Sequence, residues 1–117
     1  MDELIFVDRY YDGPLSGITS IKGEKFFFLF PFSEAEDDYS KTANLYLIDG
    51  LINFGHFSEI KNATKSIDFL DCETVKSLLD AILENNTKSI SAKSKFERIK
   101  PGITASCFTV YWTLVTG

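Results

Sequence analysis

Between Lys25 and Ser33 the chain reads Phe-Phe-Phe-Leu-Phe-Pro-Phe, and these seven residues hold five of the protein's eleven phenylalanines. In an extended strand Phe26, Phe28 and Phe30 point one way, and Phe27 and Leu29 the other. Both faces are then apolar, the mark of a central strand covered on two sides. Pro31 lacks a ladder donor and is expected to end that strand. The rest of the chain must supply apolar material for both faces.

Two turn signals, Asp12-Gly13-Pro14 and Lys22-Gly23, divide Leu4 to Phe32 into three strand-like pieces. The first covers Leu4–Tyr11, with Leu4, Phe6, Asp8 and Tyr10 on one face and Ile5, Val7, Arg9 and Tyr11 on the other. Asp12–Gly17 reads as a shaped loop, because glycine supplies unusual dihedrals and proline fixes φ. Ile18–Ile21 then pairs with Lys25–Phe30 across Lys22-Gly23 as a hairpin. Ser33 and Glu36 have capping-box spacing, so residues 33–39 form a short helical turn or else a solvated acidic loop. Ala43–Ile48 reads as a strand, and Asp49-Gly50 as a hairpin signal leading into a partner strand Leu51–Phe57, bulged at Gly55.

The clearest helix follows. Asp71 is a fit N-cap, and Glu73 lies in the first turn, where the helix dipole favours a negative charge. Val75, Leu78, Leu79, Ile82 and Leu83 make one buried stripe, while Lys76, Asp80 and Glu84 face out. Asn85-Asn86 stops the helix. Residues 87–102 are rich in Ser and Lys, with five cations against Glu97, and read as a mobile loop or a frayed second helix closed by Pro101-Gly102. Ile103–Val115 alternates as a final strand, with Phe108, Val110, Trp112 and Leu114 on one face. The expected fold is a single α+β domain over residues 1–117. It has a mainly antiparallel sheet of five or six strands, with the 71–85 helix packed on one face.

Charge and composition exclude several functions. The net charge is −5, and residues 1–58 carry ten acidic against four basic side chains. Such a body disfavours nucleic acid, which calls for clustered Lys and Arg, and equally an anionic membrane. It suits a basic protein partner, since opposite fields speed encounter. The basic 87–102 segment, with Phe96 as a stacking ring, is the one nucleic-acid candidate, and pairing with the acidic half is its other reading. The acidic start, Met1-Asp2-Glu3, lacks the features of a secretory signal, and the longest apolar run is too short to span a bilayer. A cytoplasmic protein is expected. Cys72 and Cys107 read as buried free thiols.

Candidate chemistry is sparse. Glycine-rich nucleotide motifs are absent, and the glycines sit at turns. His56 is the only histidine and neighbours a possible bulge, but no spacing links it to a nucleophile. Glu34, Glu36, Asp37 and Asp38 form a dense carboxylate run without the EF-hand pattern. No catalytic residue, metal or cofactor is therefore expected. Tyr39 sits inside that run, where nothing in the local pattern calls for its burial, and tyrosines are favoured interface anchors.

Tyr10-Tyr11-Asp12-Gly13-Pro14-Leu15-Ser16-Gly17, followed by a hairpin ending in an aromatic strand, resembles the opening of a group of small bacterial proteins of the toxin-immunity type. The resemblance covers residues 10–30 and implies a protein-binding inhibitor, with no site residue carried over. The expectation is a non-catalytic inhibitor that neutralises a basic partner, such as a nuclease toxin, through Glu34, Glu36, Asp37, Asp38 and Tyr39. The alternative is a small-ligand-binding domain or small enzyme with a pocket near His56 and the Asp12–Gly17 loop. A monomer, or a homodimer joined through the edge of the last strand, fits either reading.

Overall fold

The computed structural model describes residues 2–52, 57–85 and 87–115. Six strands form one antiparallel sheet: β1 (Glu3–Tyr10), β2 (Pro14–Ile21), β3 (Glu24–Leu29), β6 (Thr42–Leu47), β7 (Ser89–Arg98) and β8 (Phe108–Leu114), adjacent in that order. Two further strands, β4 (Phe32–Ser33) and β5 (Asp38–Tyr39), make a separate small hairpin. A helical turn, α1 (Ser58–Lys61), and the main helix, α2 (Cys72–Glu84), lie on the long excursion between β6 and β7. The fold is α+β, with six strands and one main helix.

The phenylalanine strand is central, as its two apolar faces require. Phe26, Phe28 and Phe30 enter an inner core with Leu45, Phe108 and Val110. Phe27 enters an outer core with Ile18, Ile48, Leu78 and Ile82, beneath α2. Phe28 is fully buried and packs against Phe30, Phe96 and Trp112 at ring-centroid distances of 6.2, 6.2 and 5.5 Å. Lys22 and Gly23 both take positive φ, 52° and 83°, and Ile21 pairs with Glu24. These dihedrals give the two-residue turn whose twist suits a hairpin, and glycine adopts them without a side-chain penalty.

Strict alternation fails in β1. Leu4 faces the inner core, but Ile5 and Phe6 both face the outer one. The register slips between Leu4 and Phe6, which is a β-bulge with one extra residue. The bulge brings the Phe6 carbonyl oxygen into the space where a Cβ on residue 17 would stand, so Gly17 is required there. The Asp12–Gly17 loop is also shorter than expected, because Pro14–Gly17 already belongs to β2.

Two segments differ from the sequence reading. Asp49-Gly50 makes no hairpin into a strand at Leu51: Leu51 and Ile52 continue in a turn, each donating its N–H to the Ile48 carbonyl. Ile48 and Ile52 are both buried in the outer core, whereas a two-residue hairpin at Asp49-Gly50 would pair Ile48 with Leu51 and turn Ile52 to the opposite face. Phe57 begins the α1 turn, and the rest of the expected strand, with Gly55, lies outside the described residues. Residues 89–98 form neither mobile loop nor helix. They are β7, paired with β6 on one side and β8 on the other. Ala92 is buried and Phe96 packs on the inner core, while Lys93, Lys95 and Glu97 alternate outward.

The helix behaves largely as its signals demand. The Asp71 carboxylate accepts from the Glu73 N–H at 2.9 Å, satisfying one orphan donor of the first turn. Leu78 and Ile82 are buried and Val75 is partly so, but Leu83 stands 73% exposed. The last strand is shorter than read: Ala105–Cys107 is a 3₁₀ turn, and β8 starts at Phe108. Leu114 is exposed instead of sharing the buried face.

The sheet curls until its edges meet. The Trp112 N–H on the free edge of β8 donates to the Asp2 carboxylate at 2.7 Å, which blunts that edge. The Trp112 indole N–H donates to Thr19 Oγ1 at 2.8 Å, and the Thr19 hydroxyl donates to the Glu3 carbonyl at 2.7 Å. Arg98 donates to the Tyr10 hydroxyl at 2.8 Å and lies over the Phe108 ring, 4.7 Å from its centroid. These links join β7 and β8 to β1 and β2 across the curl.

Candidate functional site

The five residues expected to bind a partner lie on the β4–β5 hairpin. Pairing of Phe32 with Tyr39 and Ser33 with Asp38 leaves a four-residue loop, Glu34 to Asp37. The Asp37 N–H donates to the Glu34 carbonyl at 3.3 Å, and Asp37 takes φ 51°. Aspartate tolerates that left-handed conformation better than most residues. The Ser40 N–H donates to the Pro31 carbonyl at 2.7 Å and closes the base. Of the two expected forms, the helical turn gives way to a tight hairpin with an exposed acidic loop. Its two arms are the shortest strands among the described residues, and all four loop residues are exposed.

Glu34, Glu36, Asp37 and Asp38 are all exposed. Asp38 Oδ1 accepts from the Tyr39 N–H at 2.7 Å. None of the four carboxylates meets a Lys or Arg: among the described residues the one ion pair joins Lys95 and Glu97 at 3.4 Å. The basic segment therefore forms no ion pair with the acidic half. The four carboxylates of the tip thus form no ion pair among the described residues.

Aromatic rings stand at the base of this tip. Tyr39 is half-buried and packs against the inner core. Phe32 meets it edge-on at 5.2 Å, and Tyr11 lies against it at 5.9 Å. Phe32 is 52% and Tyr11 68% exposed, high values for large apolar side chains. Tyr11 also borders a cavity of about 340 Å³ with Asp12, Pro14, Phe30, Lys41 and Phe96. The sequence reading weighed Tyr11 as an anchor but placed only Tyr39 in the binding set, and it did not consider Phe32. Their local signal was an aromatic residue directly beside a turn.

The remaining candidates come apart. His56 lies outside the described residues; the Asp12–Gly17 loop, the other part of the expected pocket, borders the cavity lined by Tyr11, Pro14 and Phe30. Phe96 is packed against Phe28, Phe30 and Trp112 and is not a free stacking ring. Cys72 is exposed, contrary to expectation, at the first position of α2; Cys107 is buried. The Thr104 hydroxyl, 3.4 Å from Cys107 Sγ, draws that thiol below its ordinary value against the opposing effect of burial. The thiol also donates to the Pro101 carbonyl, and Lys100 and Ser106 act on it in the same direction as Thr104. The described residues contain no cluster of metal-ligating side chains and no helix long and apolar enough to cross a membrane. Comparison with protein-family models, curated proteins and solved structures gives no match to this chain. Function must accordingly be argued from this surface.

Proposed function

We propose that the protein is a non-catalytic binding protein that neutralises or regulates a basic protein partner, a nuclease-type toxin being one such class. The carrying observation is the juxtaposition on the β4–β5 hairpin: four unpaired carboxylates beside the exposed rings of Tyr11 and Phe32 and the half-buried ring of Tyr39. Aromatic anchors supply buried area at low entropic cost, and surrounding charges set orientation and encounter rate. A basic partner would place cations against Glu34, Glu36, Asp37 and Asp38 and pack apolar surface on the rings. The two free thiols fit a reducing compartment such as the cytoplasm.

The test is capture from the native lysate at low and high salt, using the wild-type chain and an Asp37→Lys/Asp38→Lys variant. A basic protein held by the wild type should bind the variant about tenfold more weakly at low salt, with a flatter salt dependence. Phe32→Ala should weaken the same complex at every salt concentration. A partner retained equally by all three chains places the interface elsewhere and ends this reading.

A further inference from the structure

At the end of the curled sheet where β1 turns into β2, the inner core is open. A cavity of about 340 Å³ stands there over Leu15, Phe30 and Phe96. Barrel mouths are common places for small-molecule sites, and this volume lies near the lower end of their roughly 300–1,000 Å³ range. The floor is apolar. Leu15 and Phe30 are buried, and the Phe30 N–H donates to the Leu15 carbonyl at 2.9 Å, which holds the two together. Phe96 lies against Phe30 with 6.2 Å between ring centroids, and the exposed Tyr11 adds a third ring at the rim.

The rim is charged, and with both signs. Asp12 stands on the β1–β2 turn and Lys41 just before β6; both line the cavity and both are exposed. The strand order runs from β1 and β2 through β3 to β6 and β7, so Leu15 and Phe30 fall between the two charges. In the register that pairs Thr42 with Lys93, Lys41 falls beside Ser94, another lining residue. Ser40 completes that side. Its hydroxyl oxygen accepts from the Thr42 N–H at 3.1 Å and keeps its own proton to donate. Neither charge is answered within the chain, since among the described residues the one ion pair joins Lys95 and Glu97.

Two unpaired charges of opposite sign thus border one space only about a Debye length across. A simple ion placed there is attracted from one side and repelled from the other, and the two effects offset each other. A neutral molecule gains from neither charge. A molecule carrying both signs, set apart from each other, gains from both. Three rings in the lining favour an aromatic group on it, because ring pairs attract beyond the area they bury. We infer that this cavity binds an aromatic zwitterion, an aromatic α-amino acid. Its ring lies over Phe30 and Phe96, its ammonium faces Asp12, and its carboxylate faces Lys41 and accepts from the Ser40 and Ser94 hydroxyls. The cavity shares Tyr11 with the proposed partner surface and takes nothing else from it: none of the four hairpin carboxylates lines it, so either site can exist without the other.

The probe is phenylalanine, titrated into the isotope-labelled full chain and followed by amide NMR. Three analogues are run beside it: phenylalaninamide, which lacks the carboxylate, N-acetylphenylalanine, which lacks the ammonium, and alanine, which lacks the ring. Phenylalanine should saturate a single site, with shifts centred on Leu15, Ser40 and Ser94, and each analogue should bind about tenfold more weakly. Asp12→Asn should abolish the preference over N-acetylphenylalanine, and Lys41→Gln the preference over phenylalaninamide. Asparagine tolerates the φ of 54° at position 12 as aspartate does, and Lys41 is exposed, so both variants keep the fold, as an unchanged amide spectrum away from the cavity would verify. Absence of saturable shifts, shifts centred elsewhere, an analogue that binds as tightly as phenylalanine, or preferences that survive both substitutions would each overturn the inference.

Discussion

In β1, β2, β3 and β6 both faces of the sheet are covered, whereas β7 and β8 bury only their inner face. The covered half lies between the inner core and the layer made by α2, Ile48, Ile52, Phe57 and Ile60. The other half turns Lys93, Lys95, Glu97, Thr109, Tyr111 and Thr113 to solvent. The composition of each strand follows. β3 can be apolar at consecutive positions because neither side meets water, while β7 and β8 must alternate. A one-sided strand needs only half as many large side chains, so a serine- and lysine-rich segment can still be a rigid part of the sheet. Two faces buried by one aromatic strand are also what fix its place in the middle of the strand order.

The comparison can be broken first at its most buried point. Phe28→Ala removes the ring around which Phe30, Phe96 and Trp112 pack. It should cost about 3–5 kcal/mol in urea unfolding. A loss near 1 kcal/mol would mean that the inner core is not the common floor of both halves. Leu78→Ala probes the layer that only the covered half possesses. It should cost about 2–4 kcal/mol, with amide exchange accelerated in β1–β3 more than in β8; equal acceleration throughout would deny that the halves differ. Asp71→Ala removes the N-cap and should cost about 1 kcal/mol, read most simply from the melting temperature. Tyr111→Ser, on the bare face, should change stability by no more than about 0.5 kcal/mol. A larger loss there would show that the outer face of β8 is covered after all.

Much of this was legible beforehand, for reasons that can be named. The helix was readable because Asp71, Glu73 and the apolar spacing from Val75 to Leu83 all state the same local structure. The β2–β3 hairpin was readable because Lys22-Gly23 meets a dihedral requirement within four residues. Asp49-Gly50 carried an equally strong turn signal and misled, because burial of Ile48 and Ile52 on one side outweighed it. Residues 89–98 misled in the opposite sense. Their few apolar residues, Ala92 and Phe96 among them, suffice only because β6 and β8 supply the hydrogen bonds on both sides.

The binding surface divides in the same way. The carboxylate run from Glu34 to Asp38 is visible in the sequence, since density of charge needs no fold to be seen. The aromatic group beside it is not, because Tyr11 and Tyr39 are far apart in the chain and meet only when β2 and β3 carry the hairpin back past the first turn. What the sequence by itself determined was local: the turns, the capped helix, the two-faced strand and the sign of the charge, each set by interactions within a few residues. The strand order, the bulge that makes Gly17 necessary and the joining of β8 to β1 through Asp2 and Trp112 were decided only in the tertiary structure. They depend on contacts whose residues lie far apart in the chain, where periodicity carries no information about which surfaces will meet.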